Sequence, residues 1–187
     1  MKALSVGILA MTVLSTFSAN AGTELRLNAG NIKSRAIENL KNVQYQGSQD
    51  LIIQFKNSIT EGDKTSLKHI GAEIFGYLPD DALMVRASYA KVQTWRGGHA
   101  VEAVIPFSAE YKTSHFFAPV SVFNKDELQS IQVKTFKESE TQDIAAKIKA
   151  LPLAIVYSAS GKSVVASVAR AAIRRVAEIQ GVEHVQP

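Results

Sequence analysis

The chain has 187 residues, a formal net charge of +4 at neutral pH and no cysteine. The lack of cysteine excludes disulfide staples, thiolate zinc sites and a thiol nucleophile. Residues 49–110 carry 6 Lys and Arg against 8 Asp and Glu, and residues 129–187 carry 8 against 5, too even a balance for the dense basic patch that nucleic acid requires.

The first 21 residues read as a secretory signal. Met1-Lys2 supplies a positive start, Ala3 to Phe17 is an apolar stretch too short to span a bilayer, and Ala19-Asn20-Ala21 is a small-x-small cleavage site. Cleavage between Ala21 and Gly22 predicts an exported chain, periplasmic or extracellular, with no membrane contact afterwards. Residues 22–48 are polar and weakly patterned, and read as a flexible leader.

A first patterned unit spans 49–110. LIIQF (51–55) is a short β-branched strand. Ser58 to Ile70 reads as a helix with a Ser58/Glu61 capping box, Leu67 and Ile70 inward, and Gly71 as its stop. AEIFGYLP (72–79) and ALMVR (82–86) are strands joined by a Pro79-Asp80-Asp81 turn. Ser88 to Arg96 fits a helix with Val92 and Trp95 inward, and VEAVIP (101–106) closes the unit as a strand.

Residues 111–128 link this unit to a second, 129–187, with the same order of elements. IQVKTF (131–136) is a strand; Ser139 and Gln142 suggest a capping box before a helix with Ile144, Ile148 and Leu151 on one side. LAIVYS (153–158) and SVVASV (163–168) form a hairpin. Ala169 to Ile179 is a helix burying Ile173, Val176 and Ala177, with Arg170, Arg174 and Glu178 on a solvated face. VEHVQP (182–187) is the last strand, and it repeats VEAVIP 81 positions later.

Two βαββαβ units predict an α+β chain of two tandem ferredoxin-like domains, each an antiparallel sheet with two helices on one face and the other face open. Units of roughly 60 residues bury little core, so they must lean on each other or on a partner. On the strand that opens the second unit, Gln132, Lys134 and Phe136 alternate with Ile131, Val133 and Thr135. With the Ile/Val set facing the helices, Phe136 either presents an aromatic on the open face or caps the sheet end beneath a loop.

Catalytic patterns are absent. His69, His99, His115 and His184 lack metal-ligand spacing, and no cofactor motif is present. Gly161-Lys162-Ser163 lacks the earlier glycine of a phosphate loop and falls in a hairpin turn. Arg96-Gly97-Gly98 is a helix end, and Asp80-Asp81 are turn residues. The aromatic RNA-binding signature is missing from the central strands.

The run from Leu51 to Ser114 resembles the N-terminal propeptide region of secreted subtilisin-like serine peptidases. The resemblance is carried by the Ile-Gln-Phe strand, Gly71-Ala72-Glu73, the Tyr77-Leu78-Pro79-Asp80 to Leu83-Met84-Val85-Arg86 hairpin and Tyr111-Lys112. The second unit is similar to the propeptide domain that directly precedes the catalytic domain. The resemblance implies a tandem intramolecular chaperone and inhibitor whose partner is a subtilisin-like catalytic domain, in cis or in trans. It also implies that the open sheet face docks on that domain and the segment after the last strand enters the substrate cleft. Gln132, Lys134, Phe136, Glu183, Val185, Gln186 and Pro187 are then the candidate protease-binding residues. The chain lacks D-T-G, H-G-T and G-T-S motifs, so it carries no catalytic triad and is read as a partner of an enzyme. The other readings are a fragment of a longer peptidase precursor and an exported ferredoxin-like ligand-binding module.

Overall fold

The computed structural model describes residues 24–27, 30–33 and 47–187. The expected signal and its Ala21–Gly22 cleavage site lie outside these residues. Within the segment read as a leader, Glu24–Leu27 (β1) and Gly30–Lys33 (β2) pair antiparallel, with Glu24 opposite Lys33.

The architecture is α+β, built on two four-stranded antiparallel sheets. The first unit runs Ser48–Phe55 (β3), Glu61–His69 (α1), Glu73–Leu78 (β4), Ala82–Ser88 (β5), Tyr89–Trp95 (α2) and Val101–Pro106 (β6), with sheet order β4-β5-β3-β6. Leu51, Ile53, Leu83 and Val85 alternate onto one face and bury against Leu67 of α1 and Val92 of α2. Asp80 and Asp81 take positive φ (64° and 51°) to close the β4–β5 hairpin, a conformation that aspartate tolerates.

A short helix, Ala109–Lys112 (α3), leads across to the second unit. That unit runs Leu128–Thr135 (β7), Thr141–Lys149 (α4), Ile155–Ser160 (β8), Ser163–Ala169 (β9), Ile173–Glu178 (α5) and Val182–Gln186 (β10), with order β10-β7-β9-β8. The two strand orders are the same when read from corresponding edges. Ile131, Val133, Val164, Ala166 and Val168 pack against Ile144 and Ile148 of α4 and Ile173 and Val176 of α5.

Neither expected capping box forms where it was placed: the first shifts and the second is absent. In α1 the cap is Thr60: Asp63 N–H donates to Thr60 Oγ1 (3.1 Å) and Thr60 N–H donates to Asp63 Oδ2 (3.0 Å). Ile59 packs against the first core, which holds the chain extended one residue before the helix and carries the start past Ser58. In the second unit a 3-10 turn, Glu138–Glu140, enters α4 with no side-chain cap. Thr141 Oγ1 instead donates to Gly161 O (2.7 Å), and Gln142 Nε2 donates to Ala159 O (2.8 Å). Arg170, placed with Arg174 and Glu178 on one face, is drawn instead to Glu127 at 3.0 Å, leaving Arg174 paired with Glu178.

The repeated V-E-x-V encodes a bulge. Val101 opposes Phe55 and Ala103 opposes Gln54, which leaves Glu102 as the extra residue. Val182 opposes Thr135 and His184 opposes Lys134, which leaves Glu183. One extra residue resets the phase of the pleat, so both valines of each copy turn inward: Val101 and Val104, Val182 and Val185. The second strand of each unit bulges as well, at Phe75 and at Tyr157.

Gly181 precedes β10 with φ +92°, and a Cβ there would meet Glu140 Oε2 at 2.6 Å and Ile144 Cδ1 at 3.0 Å. Gly181→Ala is therefore expected to cost about 2 kcal/mol through left-handed strain and displacement of a bonded carboxylate. A thermal melt checks this; an unchanged midpoint would refute it.

Candidate functional site

The face of the first sheet turned away from its helices is closed, where an open face was expected. Ile52, Ala82, Met84, Ala103 and Ile105 lie on it and are all buried, under Phe75, Phe107, Tyr111 and Phe136. Phe136, at the end of β7, stacks on Phe75 with ring centroids 4.3 Å apart and planes 7° from parallel. It thus meets neither solvent nor a loop of its own unit, but the sheet of the other. The reason is mutual need: neither small unit can bury this apolar surface alone.

Beside the aromatic cluster lies a chain of ionised groups. Arg86 Nε donates to Asp50 Oδ1 (2.8 Å), and its Nη1 donates to Glu140 Oε1 across the junction. Lys112 Nζ lies 3.5 Å from Asp50 Oδ2, which also accepts from Gly181 N–H (3.3 Å). Lys137 bridges to Glu73 at 2.5 Å. Burial pulls the Lys112 ammonium below its ordinary pKa, and Asp50 opposes that pull. For Arg86 burial works downward too, but the bonds to Asp50 and Glu140 outweigh it and raise its pKa. Sequence reasoning missed this network because Arg86 and Glu140 are 54 positions apart and Asp50 and Gly181 are 131 apart.

The corresponding face of the second sheet is uncovered. Ladder register puts Gln132, Lys134, Ile155, Val165 and Ser167 on it. Ile155 (48%), Val165 (38%) and the bulged Tyr157 (61%) are exposed, with Leu128 at the same strand phase. A polar lattice fixes the surface between them. Tyr157 Oη donates to Ser167 Oγ (3.0 Å), Gln132 Nε2 to Ser163 Oγ (3.1 Å), and Gln186 Nε2 to Gln132 Oε1 (2.9 Å). Lys134 is the cation of this face, exposed and without a carboxylate on the strand positions opposite it, Ser163 and His184.

Of the sequence-predicted site residues, Gln132, Lys134 and Gln186 therefore come together. Glu183, Gln186 and Pro187 line a hollow of about 610 Å³ with Lys134 and His184. Val185 does not reach it: the bulge at Glu183 turns its side chain into the second core, where it is fully buried. Burial, then the neighbouring Lys134 charge, holds the His184 imidazole below its ordinary pKa, against a smaller upward pull from Glu183. A separate cleft of about 330 Å³ between the units is walled by Phe75, Met84, Phe107 and Phe136, with Lys162 and Glu183 among its residues.

The other chemistry-bearing residues are dispersed. His99 stacks on Trp95 and lies 3.5 Å from Asp63, His115 tilts against Phe116, and Gly161 makes the β8–β9 turn. Among the described residues no three His, Asp or Glu side chains gather as a metal-binding group. No helix among them is long and apolar enough to cross a membrane.

A family described as a domain of unknown function (DUF8729) matches residues 26–108, taking in the first sheet and stopping before α3. No curated protein and no solved structure matches the chain.

Proposed function

We propose that the chain consists of two ferredoxin-like modules and acts as a propeptide-like chaperone and inhibitor of a subtilisin-like serine peptidase. The shared strand order, with two helices packed on one face of each sheet, supports the fold reading. The resemblance in the Leu51 to Ser114 run supplies the partner class.

One comparison within the molecule carries the docking reading. Phe75 and Tyr157 are bulged at the same point of their units, Phe75 in the closed face and Tyr157 in the open one. In the first unit the face is covered by an aromatic from outside it, Phe136; in the second nothing in the described chain covers it, and its apolar residues stand exposed. An exposed aromatic ringed by aliphatic and small hydroxyl side chains suits a protein interface. The carboxylate at Glu183 and the amide of Gln186 border that face at the C-terminal strand.

The test is inhibition of a purified subtilisin by the purified protein, and recovery of activity when that enzyme is refolded in its presence. Inhibition is expected, and Tyr157→Asp with Val165→Asp is expected to weaken it roughly 30-fold or more, as for centrally placed interface residues. The absence of both inhibition and assisted refolding would overturn the reading. Inhibition that survives the double substitution unchanged would overturn the docking face.

A further inference from the structure

The segment between α3 and β7 holds the most exposed apolar side chains of the described chain. Phe116 is 76% exposed, Val122 82%, and Phe123 fully so. No residue from 115 to 130 is buried. A run of this kind on a soluble domain is disfavoured unless another molecule uses it.

The backbone bonds of residues 119–124 are local. Asn124 N–H donates to Ser121 O (3.3 Å), while the Asn124 side chain accepts from Ser121 N–H (2.6 Å) and donates to Pro119 O (3.2 Å). The ends are anchored elsewhere. Phe117 packs against the second core, and the carbonyls of Lys125 and Glu127 accept from Ala171 and Arg170 N–H, each at 3.0 Å. Asn124 O also accepts from Glu127 N–H (3.2 Å), so the stretch is bonded only to residues within five positions of it and can be drawn into an extended conformation without opening either sheet.

We propose that this loop is a processing site for an endopeptidase that accepts large aromatic side chains, with the cut after Phe123. Water adds across the Phe123–Asn124 peptide bond, giving a carboxylate on Phe123 and an amino group on Asn124. Phe116 is the poorer candidate, since its N–H bonds to Ser114 Oγ and the next residue is packed.

The nicked protein stays assembled, because the contacts across the cut do not involve the loop. The N-terminal piece keeps Phe75, Arg86 and Asp50 against Phe136, Glu140 and Gly181 of the other piece. It also keeps Ala109 in the second core and Ser114 N–H on Val185 O at 2.9 Å. The loop is a tether between units that hold together without it. This inference is independent of which partner the open face takes.

Limited digestion of the purified full chain with chymotrypsin, followed by intact-mass measurement and native size exclusion, tests the proposal. The expected first products end at Phe123 and begin at Asn124, and they co-elute. Phe123→Asp is expected to slow loss of the intact chain by roughly 10-fold or more, the cost of emptying an apolar specificity pocket. Asn124→Ala, which frees the loop, is expected to hasten it. A first cut at Tyr77 or Tyr157, which are also exposed, would overturn the site; separation of the two pieces on the column would overturn the retained assembly.

Discussion

Asp50→Ala is expected to lower stability by about 3–5 kcal/mol, because it takes the carboxylate from a buried lysine and one of two carboxylates from a buried arginine. Asp50, Lys112 and Arg86 are all largely sequestered, with side-chain exposures of 4%, 4% and 12%. The carboxylate holds the Arg86 guanidinium on one oxygen, and the other lies near Lys112 and accepts from Gly181 N–H. Its loss leaves Arg86 with Glu140, Lys112 with the face of Phe107 at 5.3 Å, and Gly181 N–H with no acceptor from this side chain. At about 2–4 °C per kcal/mol for a chain of this size, the melting midpoint should drop by roughly 10 °C. Asp143→Ala breaks an exposed i,i+4 pair with Lys147 and serves as the contrast, expected to cost no more than about 0.5 kcal/mol.

The variant also carries a pH signature. Burial already sets the folded-state pKa of Lys112 below its ordinary value, and without Asp50 nothing offsets that burial. When the folded pKa lies below the unfolded one, the unfolded chain binds more protons in between, so stability rises as pH rises through the folded value. The alanine variant should therefore regain part of its loss as pH rises toward the ordinary lysine pKa, and Lys112→Met should cost less in that background than in the parent. A drop no larger than that of Asp143→Ala would show that the network is not holding the junction.

Much of the scaffold was legible in the sequence, for a local reason. Alternation of Ile131 and Val133 with Gln132 and Lys134, or spacing of Ile144 and Ile148, reflects contacts made within one element's own face. What was not legible depends on phase or on distance. Simple alternation puts Glu183 and Val185 on one face, but the bulge at Glu183 sends Val185 into the core. The repeat V-E-x-V held that information, since valines at i and i+3 fit one sheet face only if a residue between them is extra. Helix starts moved because packing of Ile59 and the Thr141 hydroxyl bond competed with the capping pattern. Asp50 and Arg86 stand directly opposite each other on β3 and β5, a cross-strand pair visible once the register is known. Nothing in either strand pointed to Glu140.

Phe136→Ala is expected to cost about 3–5 kcal/mol and to change the form of unfolding as well as its midpoint. The ring is 8% exposed, stacked on Phe75 and tilted against Phe107 at 6.1 Å, over Ile52, Met84 and Ile105. Truncation opens a cavity at the one place where an aromatic of the second unit covers the far face of the first. Each unit keeps its own helix-side core, with Leu51, Ile53 and Val85 in one and Val133, Ile148 and Val164 in the other. The loss therefore falls on coupling, and two units of unequal core should begin to melt apart, ending two-state behaviour. Calorimetry of the parent should give one transition, and of the alanine variant two or a clearly broadened one. Phe136→Leu fills most of the volume and should cost about 1.5 kcal/mol or a little more while keeping a single transition. A narrow single transition for Phe136→Ala, with a loss no greater than for Phe136→Leu, would mean that the ionic network alone couples the units.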